Sequence, residues 1–519
     1  MPKPIQASSY TFRDIIEGGF LYVDKTRYLY ELIRYSKGLY FLARPRRFGK
    51  SLMISTLYEI FQGNRELFQG LWLDQSDYEW QSYPIIRIDF SQESIRSSEE
   101  LKEVLRVFMD GIAAHHGIAL SEAPYQRQFR WLIQRLAGDG KVVILIDEYD
   151  KPILDNIDTL SEAIRIRDVL RNFYGVIKAM DRHLRFVLLT GISKFSKVGV
   201  FSVMNNLDDL SMSPHFANAL GITDDELVDY FQEHIAAFAV KTAMTEHEML
   251  ARIRHWYNGF RFVEHGDNVY NPFSTLQLFH HQRFANYWFA TGTPTFLIKL
   301  IKDRNYDIEP FDELLVPELS FSTYEIESLE LIPLLYQTGY LTIKDFRTNQ
   351  FGEIYTLSYP NYEVKNAFLT YLLNAYNQIE VTLSDGYLRQ LLYALQTEDL
   401  DQFFAILNVF FANIDYDLQI KQEKYYQTIF FIIFKLLGLR VDAEGKTNQG
   451  RIDAVIKFDD RLFLFEFKLN GNAGDALAQI RKTEYAEKYL RTGKPLILIG
   501  ANFDSNNARK ITAWESETV

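Results

Sequence analysis

Cysteine is absent from all 519 residues. Its absence excludes disulfides, thiolate zinc sites, iron–sulfur clusters and a cysteine nucleophile, and it is compatible with a reducing cytosol. Positive charge is not in excess either: 56 Lys+Arg against 68 Asp+Glu leave a net charge of −12. A chain with that balance does not coat nucleic acid non-specifically, although an average says nothing about a local basic groove. Long apolar runs are missing as well. The strongest, Ile429-Phe-Phe-Ile-Ile-Phe434, stops at Lys435, far short of the about 20 residues a bilayer helix needs. It is expected in a buried core helix, with no membrane partner. The opening Met1-Pro-Lys-Pro-Ile-Gln6 has no apolar h-region, so no secretory signal is expected and the cytoplasm is the expected compartment. No internal repeat is visible.

What is present is ordinary globular material, 47% apolar and 24% charged, long enough for about three or four domains. Between 38 and 222 short apolar runs at 38–43, 83–90, 142–146 and 185–190 alternate with amphipathic stretches such as 99–115 and 161–179. Strands of that composition are covered on both faces, which predicts an α/β fold with a parallel sheet. At Thr223-Asp-Asp-Glu226 a capping box predicts a helix start, and helical patterns then dominate to about 301. A helix through 331–336, a hairpin of 339–343 with 353–358, and a helix from 361 predict a winged-helix-like module. From about 385 two amphipathic helices and a third over 421–437, ending at Gly438, precede strands at 450–456 and 461–468. A helix over 475–492 and a strand at 495–500 complete an α-β-β-α-β order. The expected division is 1–222, 223–384 and 385–519.

Two constellations carry chemistry. Ala43-Arg-Pro-Arg-Arg-Phe-Gly-Lys-Ser51 lies between a predicted strand and helix, where phosphate loops lie. Lys50 would reach the terminal phosphates and Ser51 would hold Mg²⁺, while Gly49 opens the helix N-terminus with its free N–H groups. Arg44 stands where a general phosphate loop has glycine. Val142-Val-Ile-Leu-Ile-Asp-Glu148 delivers two carboxylates to a strand's C-terminal end, where open α/β sheets bind ligands. Asp147 can complete the Mg²⁺ shell and Glu148 can orient and deprotonate a water. Ser193, after a third strand, can sense the γ-phosphate between them. Among Arg44, Arg46, Arg47 and Lys50, one arginine can clamp phosphate or reach a neighbouring subunit as a finger, which would require a homo-oligomer.

In the last third, Leu462-Phe-Leu-Phe-Glu-Phe-Lys468 alternates so that Glu466 and Lys468 share one face. A carboxylate and a lysine on an apolar strand are costly to bury without a purpose. Asp453 on the preceding strand can stand beside Glu466. Two such carboxylates bind Mg²⁺, and the lysine positions a water for attack on a phosphodiester.

Tyr22-Val-Asp-Lys-Thr26, Arg44-Pro-Arg-Arg-Phe-Gly-Lys-Ser51, Leu145-Ile-Asp-Glu-Tyr-Asp150 and Leu189-Thr-Gly-Ile-Ser-Lys194 together resemble the bacterial AAA-ATPase-like family. Further matching segments are Trp256-Tyr-Asn-Gly-Phe260, Tyr270-Asn-Pro-Phe-Ser274, Asn286-Tyr-Trp288 and Thr291-Gly-Thr-Pro294, so the resemblance covers nearly the whole chain. Its members typically carry a C-terminal domain of the PD-(D/E)xK nuclease superfamily, and their usual phosphate loop has this Arg-Pro-Arg-Arg-Phe-Gly-Lys-Ser form. The resemblance implies a restriction-endonuclease-like α/β domain with Asp453, Glu466 and Lys468 as its core. It adds Glu423 as a first-helix metal ligand and Gln479 as the helical glutamine beside the site; Gln427 stands where relatives often have His.

The expected function is an ATP-regulated, Mg²⁺-dependent nuclease acting on DNA or RNA. Defence against mobile DNA is implied at family level alone. The alternative is a nucleotide-dependent switch or scaffold whose C-terminal domain binds nucleic acid or a partner without cutting.

Overall fold

The computed structural model describes residues 2–194, 204, 206–288, 295–304, 306–321, 330–350, 352–377, 379–412, 423–438, 443–448, 451–482, 489, 493–504 and 510–519. The chain forms two compact units, one of residues 1–296 with 311–363 and one of residues 297–310 with 364–519.

The first unit is built on a parallel sheet of β1 (Gly38–Ala43), β2 (Ile85–Asp89), β3 (Val142–Asp147), β4 (Leu184–Gly191) and β5 (Asp208–Asp209). The strands lie in the order β2-β3-β4-β1-β5 and every neighbouring pair is parallel. All of β3 and β4 is buried, so apolar side chains on both faces stabilise the sheet, each by roughly 1.5–3 kcal/mol when fully buried. Phe61, Ile60, Leu57 and Ile54 of the helix Lys50–Gln62 pack on one face with Leu145 and Leu188. The helices Ser98–His115, Tyr125–Ala137 and Leu160–Ala179 supply the other apolar partners expected from the alternation. Because β4 lies between β1 and β3, the ends of all three strands meet at one edge.

The capping box predicted at Thr223 is formed: its hydroxyl accepts from the Glu226 N–H, and Glu226 accepts from the Thr223 N–H at 2.8 Å. Lys25 donates to the same Glu226 carboxylate at 2.6 and 2.7 Å and to the Asn218 carbonyl at 2.9 Å. The Tyr-Val-Asp-Lys-Thr segment thus fastens the start of the helix Asp224–Lys241. A short hairpin of β6 (Asn258–Phe260) and β7 (Val269–Tyr270) follows. Next comes a three-stranded sheet of β8 (Leu314–Pro317), β9 (Thr342–Asn349) and β10 (Gly352–Ser358), in the order β8-β10-β9. The expected helix-and-hairpin pattern is there, with the helix Leu331–Thr338 ahead of it. The sheet gains β8, a four-residue strand too short to show a period in the sequence. The Thr291-Gly-Thr-Pro294 segment lies outside the described residues.

The second unit centres on a mixed sheet of β11 (Ala443–Asn448), β12 (Arg451–Lys457), β13 (Leu462–Leu469), β14 (Leu496–Asp504) and β15 (Lys510–Thr518), in that order. Only β13 and β14 pair in parallel, and the helix Ala473–Lys482 makes their crossover. The alternation in β13 sorts its two faces. Phe465 meets Phe434 edge-on and Phe467 meets Phe430 at a tilt, both on the helix Glu423–Gly438, with ring centroids 5.3 and 4.8 Å apart. Leu462 and Leu464 pack with Leu477 and Ile480 of the helix Ala473–Lys482. The predicted helix over 475–492 is described only through Lys482 and at Tyr489. Among the described residues no helix is long and apolar enough to cross a membrane.

Candidate functional site

The loop leaving β1 reaches the helix Lys50–Gln62 through two residues in the left-handed region, Arg47 at φ 65° and Gly49 at φ 92°. Glycine meets the second without steric cost. The first intrahelical bond runs from the Met53 N–H to the Gly49 carbonyl at 2.9 Å, and the preceding N–H groups open toward the loop. The buried Lys50 ammonium donates to the carbonyls of Arg44 and Pro45, each at 2.9 Å. Burial pushes its pKa down, while Glu148, Asp147 and Asp150 act against that shift. Ser51 follows in the first turn, half-buried.

The end of β3 is arranged more tightly than its sequence reveals. Asp147 is 1% exposed. Its Oδ1 accepts from the Thr190 hydroxyl at 2.6 Å and from the Glu148 N–H at 3.1 Å. Its Oδ2 is buried with no hydrogen-bond partner among the described residues. A desolvated, open carboxylate oxygen suits a hard cation, so the donor set fits Mg²⁺. Glu148 adopts φ 51° although it is not glycine, a conformation that costs about 1 kcal/mol or more and collects at functional sites. Burial raises its carboxyl pKa, and Lys50 offsets part of the rise.

Ser193 meets Asp150. Its N–H donates to Asp150 Oδ2 at 2.7 Å, its hydroxyl donates to the same oxygen at 2.5 Å, and the Ile192 N–H donates at 3.0 Å. Asp150 is therefore a site residue that the reading of single positions missed. The signal was available as a third carboxylate, three positions after Asp147. Gly191 permits the arrangement: a Cβ there would lie 2.5 Å from the Tyr149 ring and 2.6 Å from Asp150 Oδ1.

The four cations of the loop do not share one task. Arg44 is 2% exposed; Nη1 donates to the carbonyls of Ala43 and Ser211 and Nη2 to that of Phe216. Its guanidinium stacks 4.1 Å from the Phe262 ring. These carbonyls hold Nη1 and part of Nη2, while Nε is buried with no hydrogen-bond partner among the described residues. Arg47 is exposed, with its guanidinium 4.6 Å over the Phe273 ring. The half-buried Arg46 feels both Lys50 and Glu148 electrostatically, and its backbone carbonyl accepts from the Trp288 indole N–H at 3.0 Å and from Asn271 Nδ2 at 3.4 Å. Trp288 and Asn271 belong to two of the four segments to which the sequence assigned no task.

In the second unit, Asp453 of β12 pairs in register with Glu466 of β13, which pairs in turn with Gly500 of β14. Glu466 is 4% exposed, and the Lys468 ammonium lies 3.5 Å from its Oε1. Lys468 also donates to Gln479 Oε1 from the helix Ala473–Lys482. A Cβ on Gly500 would lie 2.4 Å from the Ala473 carbonyl and from the Leu477 N–H. Glycine lets this helix approach closely enough for Gln479 to reach Lys468, a role no motif announced. Glu423 opens the helix Glu423–Gly438. The side chains of Glu423, Gln427 and Asp453 lie outside the described residues.

Residues 6–201 match the family described as Predicted AAA-ATPase, and a protein of Azotobacter chroococcum mcd 1 is 38% identical over 530 residues, covering 100% of this chain and 99% of the relative. The chain belongs to this AAA-ATPase-like family. The relative is described as "Uncharacterized protein in vnfD 5'region". Residues 421–514 of the AAA-ATPase-like chain match the PD-(D/E)XK nuclease superfamily, which includes all of Glu423, Asp453, Glu466, Lys468 and Gln479. Among solved structures, Cdc6p of Pyrobaculum aerophilum shares 12% identity over 67% of this chain and 93% of its own, with a TM-score of 0.24. The ORC2 protein of Aeropyrum pernix shares 10% over 67% and 92%, with a TM-score of 0.25. The architecture is thus a P-loop parallel-sheet ATPase domain joined to a nuclease-superfamily domain, which supports nucleotide binding and a nuclease-like function.

Proposed function

We propose that this chain hydrolyses ATP in its first unit and cleaves nucleic-acid phosphodiesters in its second, with the nucleotide controlling the cleavage. One observation carries the nucleolytic part: the register that sets Asp453 beside Glu466, with Lys468 on the same face and tied to Gln479. In the first unit Lys50 exchanges the Arg44 and Pro45 carbonyls for phosphate oxygens, which are stronger acceptors. Arg46 supplies the second cation. Ser51 and the open oxygen of Asp147 hold Mg²⁺. Glu148 takes a proton from the attacking water, and Asp150 holds Ser193 beside it. In the second unit Glu466, with Asp453 and Glu423, holds a metal through oxygen, and Lys468 orients the water. Mg²⁺ bound at either site would supply Lewis acidity toward phosphate and lower the pKa of a bound water.

The test is cleavage of DNA and RNA by the full chain with Mg²⁺ and ATP. Asp453→Ala should abolish cutting, and the proposal fails if wild type and Asp453→Ala behave alike on both substrates. A second reading, a nucleotide switch that binds nucleic acid or a partner without cutting, has its own support. The phosphate loop is gripped from behind by Trp288 and Asn271, and Gly339 would clash with Pro45 if it carried a Cβ (2.7 Å). A Lys50→Ala chain that loses ATP yet keeps its full partner affinity would sink that reading. Defence against mobile DNA stays part of the proposal, tested by plaque counts in cells with and without Asp453→Ala.

A further inference from the structure

The nucleotide loop leaves the C-terminal edge of the first sheet. At the opposite edge, about 20 Å away along six-residue strands, the segments entering β1, β2, β3 and β4 enclose a cavity of about 500 Å³. That volume suits a small organic molecule. Arg185, the second residue of β4, lines it and is 7% exposed. Its Nη2 donates to the Ile33 carbonyl at 2.6 Å, while its Nη1 is buried with no hydrogen-bond partner among the described residues. The rings of Phe61 and Tyr83 lie 5.6 Å from the guanidinium, and no described carboxylate pairs with it. Rings and one carbonyl offset only part of the several kcal/mol needed to desolvate a charge.

A second donor makes the same point independently. The Tyr78 hydroxyl lines the cavity, buried and without a partner among the described residues. Burial pushes its pKa up to about 12, so it stays a donor at neutral pH. Lys141, just ahead of β3, adds a third donor with no described ion pair. The carboxylates of Asp77 and Glu79 sit on the exposed rim, where Asp77 accepts from the Tyr30 hydroxyl at 2.6 Å. The buried charge is cationic, the exposed lining carries Asp77 and Glu79 together with Arg34, which pairs with Glu31 at 3.2 Å, and tyrosine rings form walls. A purely structural arginine would meet its carbonyl and rings and leave no second buried donor open beside it.

We propose that this cavity binds a small planar organic anion, its phosphate or carboxylate held by Arg185, Tyr78 and Lys141 and its flat body between the tyrosine rings. The site is separate from the nucleotide loop and does not depend on the function proposed above. Phenyl phosphate is the probe, titrated calorimetrically into the full chain. Saturable one-to-one binding is expected, unchanged in Lys50→Ala and weakened about tenfold or more in Arg185→Met and in Tyr78→Phe. Tyr78→Phe removes one unpaired oxygen and leaves packing intact, so it decides the matter if Arg185→Met does not fold. No binding up to about 10 mM, or binding lost in Lys50→Ala and kept in Tyr78→Phe, overturns the proposal.

Discussion

Arg44 and Arg46 show what a dense cation cluster conceals. Either could be the phosphate clamp by sequence, yet backbone carbonyls hold the Nη groups of the buried Arg44 while the half-buried Arg46 interacts with Lys50 and Glu148. Composition counts charges and cannot say which way each one turns. Arg44→Ala should lower thermal stability and Arg46→Ala should weaken ATP binding at unchanged stability, as read by calorimetry of the two variants. Glu148 gives a sharper expectation. A general base works deprotonated, and burial raises the Glu148 pKa. The acid limb of kcat for ATP hydrolysis should therefore lie above the usual carboxylate range, with activity rising as pH rises through it. Glu148→Gln should retain ATP binding while losing roughly 10²–10⁴-fold in turnover. A variant that hydrolyses ATP at the wild-type rate would remove Glu148 from the mechanism. Asp147, Glu148 and Lys50 were legible because strand, loop and charge coincide in the sequence. Asp150 was not, because its role depends on a bend that brings Ser193 back to it.

Elements were legible where side chains have a period. The run 38–43 is β1 residue for residue, and the alternation in β13 correctly separates Phe465 and Phe467 from Glu466 and Lys468. β15 was missed because it lies at a sheet edge with most of its residues exposed, so burial imposes no pattern on it. Close approach between elements leaves still less trace. Gly500 is one apolar-strand residue among many, yet it sets the spacing between β14 and the helix Ala473–Lys482. Gly500→Ala should cost about 1–3 kcal/mol through overpacking and reduce cleavage further by moving Gln479 off Lys468. Denaturant melts and nuclease assays on the same preparation separate the two effects. Glu363 belongs at this scale too, since it ties the helix Pro272–His281 to Trp288. Its Oε1 accepts from the Ser274 hydroxyl at 3.1 Å and the Trp288 N–H at 2.8 Å, and burial raises its pKa from 4.5 to about 7. Between those values the folded chain keeps a proton that the unfolded chain releases. Stability should therefore fall as pH rises through that window and level off above it. In Glu363→Gln the fall should be smaller and the midpoint above pH 7 higher, as thermal melts across the range will show.

At the scale of the whole molecule, the sequence predicted an ATPase and a nuclease-like domain from two independent acidic-plus-lysine sites, and family membership agrees. Chain order is what a sequence presents, so an excursion is hard to see in it. Residues 297–310 group with the second unit although residues on both sides group with the first. The nucleotide site lies in the first unit, so its loading should be read there first. MgATP at about 100 times its Kd should stabilise the first unit by about 2.7 kcal/mol, a shift lost in Lys50→Ala and retained in Asp453→Ala. Calorimetric scans with and without nucleotide test this, and equal shifts in both variants would contradict it. The grip of Trp288 on the Arg46 carbonyl has a practical consequence. An indole whose N–H bonds the phosphate loop is a built-in fluorophore for that loop. With the other five of the six tryptophans replaced, its emission wavelength becomes a real-time optical readout of nucleotide loading without a label.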